Sequence, residues 1–163
     1  MLTDYVVIDL EMTGLNAKTD RILEAGAARV RGNVVTATFS EIINPKRELS
    51  EKVISLTGIT NEMAVQGKEM DATLMAFFDF IGEDILVGQN VIFDYSFLKQ
   101  WAVNHKRTFE RNAVDTLKLA RKFLPQEQKK DLASLCSYFG IERVHAHRAL
   151  DDVMETQQIF EQM

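Results

Sequence analysis

YVVIDLEMTGL, residues 5–15, is the stretch that decides the fold. Its apolar beginning, Tyr5 to Ile8, is typical of a buried strand. Because side chains of a strand alternate between its two faces, Asp9 and Glu11 point to the same side at the strand's end. Open α/β sheets bind ligands outside the carboxyl ends of their strands. We therefore expect an acidic site at this end of the sheet, the alternative being that both acids are simply solvated.

The closeness of Asp9 and Glu11 has a chemical consequence. Adjacent carboxylates repel each other, and one of them is expected to hold a proton unless a cation lies between them. A hard divalent cation that prefers oxygen ligands would remove this conflict. The pair therefore predicts a metal site.

The order of elements indicates the fold class. Strands at residues 5–8, 22–30 and 34–43 predict an antiparallel meander, and strands and helices alternate afterwards. This order predicts a mixed sheet with helices on its faces, an α/β sandwich, in a single domain over residues 1–163. Helices are predicted at 51–56, 71–81, from 94, at 115–124 and 131–139 and around 150–160, and short strands at 85–88 and 113–114.

The composition excludes several classes of protein. The net charge of −5 argues against coating of long duplex DNA, although an enzyme that grips a few nucleotides remains compatible with it. No signal peptide or membrane-length apolar run is present, so we expect a cytoplasmic protein without a membrane partner. The single cysteine, Cys136, is expected to be a buried core residue in a reducing compartment.

Two further aspartates precede predicted helices. Asp94 lies at an expected helix start, where a role as N-cap would explain it fully. Asp115 has the same setting and is expected to be a cap or a group that supports the site. For Asp94 the capping alternative and the metal-site alternative both stay open.

Histidine and aspartate come together near the carboxyl end of the chain, in the stretch HAHRALDD at residues 145–152. A histidine beside acids suggests metal ligation or acid–base chemistry, because its pKa lies near neutral pH. His147 and Asp152 can converge only if His147 precedes the helix, since residues five apart in a helix diverge. The alternative is a helix that opens with favourable acids in its first turn.

Other catalytic patterns are missing from the sequence. It contains neither a G-x-S-x-G elbow nor a Walker-type phosphate loop, and its Cys and His residues lack zinc spacing. Four acids and a histidine remain, and they suit two hard cations that activate water.

These motifs together resemble the DEDDh family of 3′–5′ exonucleases, which includes bacterial proofreading exonucleases and oligoribonucleases. The likeness is closest to exonuclease domains of DNA polymerase III, to which residues 56–60 and 114–117 add similarity. The first and third motifs also resemble oligoribonuclease, whereas the middle of the chain does not. The motifs are D-x-E at Asp9 and Glu11, an Asn four residues before an Asp at Asn90 and Asp94, and H-x-x-x-x-D at His147 and Asp152, which selects Asp152 over Asp151.

The resemblance implies a ribonuclease-H-like fold, with a mixed five-stranded sheet and helices on both faces. It also implies two Mg²⁺ or Mn²⁺ ions held by Asp9, Glu11, Asp94 and Asp152, and His147 as the general base. The expected reaction releases nucleoside 5′-monophosphates from the 3′ ends of single-stranded DNA.

Substrate contacts are also inferred from the resemblance. Leu15 is expected to wedge against the terminal base and Phe93 to stack or pack on the sugar, with core packing as the alternative for both. Asn90 is expected to orient the substrate phosphate or its own loop. Some proofreading subunits carry His at the position of Thr57, so no role of that His is transferred. The full set of expected substrate-binding residues is Thr13, Gly14, Leu15, Thr57, Asn90 and Phe93.

Three alternatives to this function stay open. The main one is a 3′–5′ exoribonuclease acting on short RNA oligomers. The others are a non-catalytic module that binds nucleic-acid 3′ ends and a phosphoesterase acting on small nucleotides. The expected partner is a single-stranded 3′ end, DNA rather than RNA, and a replicative polymerase subunit is a further candidate.

Overall fold

The computed structural model describes residues 2–143 and 148–163. It contains a five-stranded sheet and seven helices within these ranges. The strands are β1 (Tyr5–Met12), β2 (Ile22–Arg31), β3 (Val34–Ile42), β4 (Leu86–Gly88) and β5 (Ala113–Asp115). The helices are α1 (Glu51–Thr57), α2 (Asn61–Val65), α3 (Met70–Ile81), α4 (Ile92–Asn104), α5 (Thr116–Phe123), α6 (Leu132–Phe139) and α7 (Ala149–Gln162).

The sheet has the strand order β3-β2-β1-β4-β5. The pairs β1–β2 and β2–β3 are antiparallel, whereas β1–β4 and β4–β5 are parallel. The predicted meander and the predicted mixed sheet are therefore confirmed. Because β1 and β4 run parallel, their carboxyl ends meet at one edge, where the loop after β1 and the start of α4 lie close together.

The two faces of β1 pack against different helices. Val6 and Ile8 belong to the core that α3 and α4 complete, whereas Tyr5 and Val7 pack with Val153 of α7. The predicted alternation therefore holds along this strand. Asp9 and Glu11 continue the row of Tyr5 and Val7, so they lie on the face that α7 covers.

Helix α7 approaches β2 closely because β2 carries small side chains. A Cβ atom at Gly26 would lie 2.9 Å from the backbone carbonyl carbon of Ala149. Any larger residue at this position would push the start of α7 away from the sheet. The glycine thus sets the distance between the sheet and the helix that carries Asp152.

Two features differ from the sequence-based predictions. Helix α2 was not expected, because it is a five-residue element capped by Thr60 and too short to show helical periodicity. Helix α4 begins at Ile92 rather than at Asp94, and its N-cap Val91 makes no side-chain capping bond. The capping alternative for Asp94 is therefore wrong, since Asp94 lies inside the first turn.

The burial of Cys136 agrees with the sequence-based expectation. Cys136 is buried in a cluster with Leu135 and Ile159, as predicted for a core residue. Among the described helices, none has the length and apolar character required to cross a bilayer.

Candidate metal centre

Three carboxylates converge at the carboxyl end of β1. Asp9 and Glu11 come from β1 and Asp152 comes from the first turn of α7. Each offers one oxygen, and these oxygens all lie within 4.8 Å of one another. Asp152, rather than its neighbour Asp151, completes this group.

Burial and mutual repulsion disfavour the charged forms of the two strand acids. Burial, followed by the charges of Asp94, Glu11 and Asp152, raises the pKa of Asp9 well above its usual value. Burial, followed by the charges of Asp152 and Glu24, raises the pKa of Glu11 to about 8. A bound cation would reverse this balance, because it would favour the ionised form of each carboxylate.

The chemistry of the donors fits a hard divalent cation. The Oδ2 atom of Asp9 is buried and has no hydrogen-bond partner among residues 2–143 and 148–163. A buried polar atom without a partner is costly, and such atoms mark missing ions or functional strain. Carboxylate oxygens are the ligands that Mg²⁺ and Mn²⁺ prefer. The chemistry of the three clustered acids therefore fits a set of ligands for such a cation.

Asp94 lies beside this group rather than within it. It is buried in the first turn of α4, and burial raises the pKa of its carboxyl well above the usual value, opposed by a hydrogen bond from the backbone of Leu10. Its charge acts on both Asp9 and Glu11. The structure thus brings Asp94 next to the cluster, and its assignment as a fourth ligand stays a prediction.

His147 lies outside the described residues. Its assignment as the general base stays a prediction from the sequence.

The turn before α4 is held in an unusual backbone conformation. Asn90 has a φ of 53°, a left-handed value that costs free energy for a residue other than glycine. The Oδ1 atom of Asp115 accepts hydrogen bonds from the backbone N–H of Asn90 (2.8 Å) and from that of Leu117 (2.9 Å). Asp115 is therefore the predicted cap of α5, and it also fixes the turn that leads to Asp94.

Hydrogen bonds between its own residues stabilise the loop after β1. The Thr13 hydroxyl donates to Asp20 Oδ1 (3.1 Å) and accepts from the backbone N–H of Arg21 (2.9 Å). A Cβ atom at Gly14 would lie 2.3 Å from Asp20 Oδ2, so a side chain at this position would displace the Asp20 carboxylate from its place in the loop. Thr13 and Gly14 thus shape the loop that presents Leu15.

Leu15 projects into solvent at the rim of a groove. Its side chain is 71% exposed, so the core-packing alternative for this residue is wrong. The groove has a volume of about 790 Å³ and lies between this loop and α4, where Tyr95, Lys99 and Val103 line its other wall. Leu15 has the exposure that a base-contacting residue requires, and its role stays a prediction.

The remaining expected substrate residues differ in exposure. Phe93 is half-buried and Asn90 is exposed. Thr57 is buried, and its hydroxyl donates to the carbonyl of Val53 (2.8 Å) and accepts from the N–H of Ile59 (3.1 Å). These bonds give Thr57 a role at the end of α1, and its assignment to the substrate stays a prediction.

Comparison with known proteins identifies the family. The model of the RNase_T family, described as an exonuclease, matches residues 6–160. The chain belongs to this exonuclease family. It is therefore an enzyme, a hydrolase of the 3′–5′ exonuclease class.

Relatives of this exonuclease include proteins named as DNA polymerase III. It is 36% identical over 157 residues to DNA polymerase III subunit epsilon of Aquifex aeolicus, covering 96% of this chain and 78% of that protein. It is 38% identical over 157 residues to the PolC-type DNA polymerase III of Bacillus subtilis, covering 93% of this chain and 11% of that protein. The chain thus matches most of the epsilon subunit but spans only about a tenth of the PolC-type polymerase.

Solved structures of exonuclease I share the fold. The zinc-bound complex of Escherichia coli exonuclease I with single-stranded DNA superposes with a TM-score of 0.87 at 19% identity, covering 99% of this chain and 40% of that one. A complex of the same enzyme with a dT13 oligonucleotide gives a TM-score of 0.86 at 18% identity, covering 99% of this chain and 41% of that one. These matches confirm the ribonuclease-H-like fold of the exonuclease.

Sequence reasoning missed the ion pair that anchors α7 in this exonuclease. Glu24 of β2 is 1% exposed, and its carboxylate accepts bonds from Arg148 Nη2 (2.7 Å) and Nε (3.1 Å) and from the N–H of Ala149 (2.8 Å). Glu24 thus serves as a cap for α7, which has no capping bond from its own N-cap residue, Arg148. The available signal was a single acid within the otherwise small and apolar residues 22–28 of β2.

Proposed function

We propose that the protein removes nucleoside 5′-monophosphates from the 3′ ends of single-stranded DNA, with two divalent cations held by Asp9, Glu11, Asp94 and Asp152. The observation that carries this proposal is the convergence of Asp9, Glu11 and Asp152 within 4.8 Å at the carboxyl end of β1, where Asp152 is buried and the two strand acids are half-buried. DNA is favoured over RNA because the relatives at 36% and 38% identity are named as DNA polymerase III proteins. The same names support a replicative polymerase as partner.

The residues have different roles in phosphodiester hydrolysis. Bound cations would neutralise the carboxylate cluster, lower the pKa of water and stabilise charge on the attacked phosphate. The acids hold them, and His147 takes the proton of the attacking water, a contribution of about 10²–10⁴-fold in rate. Leu15 packs against the terminal base at the rim of the groove.

A degradation assay with matched substrates tests the proposal. Single-stranded DNA, single-stranded RNA and di- to pentanucleotides are incubated with Mg²⁺ or Mn²⁺, with EDTA as control, and a mismatched 3′ terminus is added to the panel. We expect metal-dependent release of mononucleotides from DNA, faster at the mismatch. A preference for short RNA would mean that the substrate is an RNA oligomer and not DNA. Hydrolysis of nucleotide monoesters without chain shortening would contradict the proposed exonuclease activity.

Neighbouring aspartates in α7 provide a matched pair of variants. Asp152→Ala should abolish release of mononucleotides while the fold stays intact, because it removes a carboxylate of the cluster. Asp151→Ala should have little effect on the rate, because Asp151 is outside the cluster. Unchanged turnover in Asp152→Ala would contradict the assignment.

The variant His147→Ala distinguishes a role as general base from a role as metal ligand. The rate should fall far more than the affinity for Mn²⁺ if the histidine takes a proton. An equal loss of rate and affinity would make His147 a ligand instead.

A further inference from the structure

One arginine bridges two buried acids of α7 next to the candidate metal centre. Arg143 lies between α6 and α7, and its Nη2 atom is 3.1 Å from Asp152 Oδ1. Its Nε atom is 3.0 Å from Glu155 Oε2. Asp152 and Glu155 are three residues apart, so they project from the same face of the helix. Both are buried, at 7% and 4% exposure.

We propose that Arg143 and Glu155 are positioning residues that set the orientation of the Asp152 carboxylate for a divalent cation. This inference rests on the proposed metal centre. Arg143 is not a catalytic residue, because it contacts a metal-ligand candidate rather than the reacting atoms.

The geometry of the guanidinium explains how Glu155 acts at a distance. The guanidinium is planar, with its donors in a fixed arrangement. Because Glu155 binds Nε, it fixes the plane in which Nη2 reaches Asp152. Arg143 in turn holds one oxygen of Asp152, which limits rotation of that carboxylate beside Asp9 and Glu11.

Helix α6 supports the pair from the other side. Burial, followed by the nearby charge of Glu155, raises the pKa of the Cys136 thiol to about 11, so it stays protonated. The contacts therefore run from the α6 core through Glu155 and Arg143 to Asp152.

The charges give the pair a second effect. Asp152 and Glu155 would repel each other as buried neighbours on one helix, and Arg143 neutralises part of this charge. A fixed positive charge also repels an incoming cation. The two effects of Arg143 on metal affinity have opposite signs, so the sign of a measured change distinguishes orientation from simple charge repulsion.

Direct metal binding by the full chain tests the inference without nucleic acid. The dissociation constant for Mn²⁺ is measured by titration calorimetry, and the melting temperature is measured in EDTA. Arg143→Met should weaken Mn²⁺ binding about 10–100-fold, the range typical of groups that orient metal ligands. Arg31→Met is the matched control, since it removes an ion pair with Asp84 (2.8 Å) elsewhere in the fold, and it should leave Mn²⁺ affinity unchanged.

Non-additivity identifies the path through Glu155. Glu155→Met should weaken binding less than Arg143→Met, and the double variant should match Arg143→Met alone, because Glu155 acts through the arginine. Glu155→Gln should stay close to wild type, since its amide oxygen can still accept from Nε. If the losses of Mn²⁺ affinity in the two single variants add up in the double variant, the inference that Glu155 acts through Arg143 is overturned.

Several outcomes would overturn the inference. One is unchanged or tighter Mn²⁺ binding by a folded Arg143→Met protein. If Arg143→Met fails to fold, the Mn²⁺ affinity of Arg143→Lys tests the inference, because lysine keeps the charge but cannot bridge both acids. Unchanged affinity in Arg143→Lys overturns the inference, and weaker binding supports it. Asp9→Asn locates the site, and Mn²⁺ binding that survives this change also overturns the inference.

The failure of the proposed function is a separate result. A wild-type protein that binds Mn²⁺ through Asp9 but shortens no nucleic acid would reject the proposed function only. The effect of Arg143→Met on metal binding would still stand.

Discussion

Two glutamates lie side by side on neighbouring strands and have opposite electrostatic settings. Glu11 of β1 and Glu24 of β2 are partners in the strand register, on the face that α7 covers. Glu24 is paired with Arg148 and with the N–H of Ala149. Glu11 forms no salt bridge within the described ranges, and burial together with neighbouring acids raises its pKa to about 8.

The difference distinguishes a carboxylate that stabilises the fold from a carboxylate that requires a bound proton or cation. A buried carboxylate costs free energy unless it is paired and hydrogen-bonded. Glu24 meets that condition within the protein, and its partner Arg148 has its own pKa raised by the pairing. Glu11 can meet it only with a proton or an added cation. The same residue type therefore stabilises the fold at one position and destabilises it at the next.

The largest expected effect comes from Glu11→Gln. It should reduce activity by more than the ~10–100-fold typical of outer supporting groups, because it removes a carboxylate of the cluster. The metal-free variant should be more stable than wild type at pH 9 by at least about 1 kcal/mol, since one pKa unit corresponds to about 1.4 kcal/mol. Denaturant unfolding in EDTA checks the stability, and a less stable variant would break the comparison.

Glu24→Ala should have the opposite effect on stability. Loss of the carboxylate leaves the N–H of Ala149 buried without its acceptor, a cost of about 1–3 kcal/mol. Arg148 is about one-third exposed and can regain water, so we expect no larger loss. Glu24→Gln is the control, because its amide oxygen can still accept from Ala149, and it should lose less stability in the same unfolding experiment.

A pH dependence of stability without metal gives a third test of the comparison. The pKa of Glu11 rises from 4.5 to about 8 on folding, so its protonated form favours the folded state. The resulting stability is present below about pH 4.5 and is lost as the pH rises to about 8. Melting temperatures in EDTA should therefore fall across this window, and less steeply in Glu11→Gln. An equal slope in the variant would assign the effect to other groups.

The sequence predicted most of the fold because its signals are local. The alternation in β1 and the helix predicted at 71–81 each depend on neighbours in the chain. Sequence reasoning left Asp94 open as a helix cap, because a helix start is uncertain by one or two residues without backbone geometry. It gave no account of Arg143 or Glu155, since a charged residue near a helix is usually a solvated one.

By itself the sequence determined that Asp9 and Glu11 share one face of a strand end, because strand geometry fixes the direction of alternate side chains. Only the tertiary structure decided which other charges meet them. Glu24 and Arg148 are 124 residues apart in sequence, and Asp152 reaches the cluster because Gly26 lets α7 approach the sheet. Such encounters depend on the packing distance and rotation of whole elements, and no local pattern encodes these quantities.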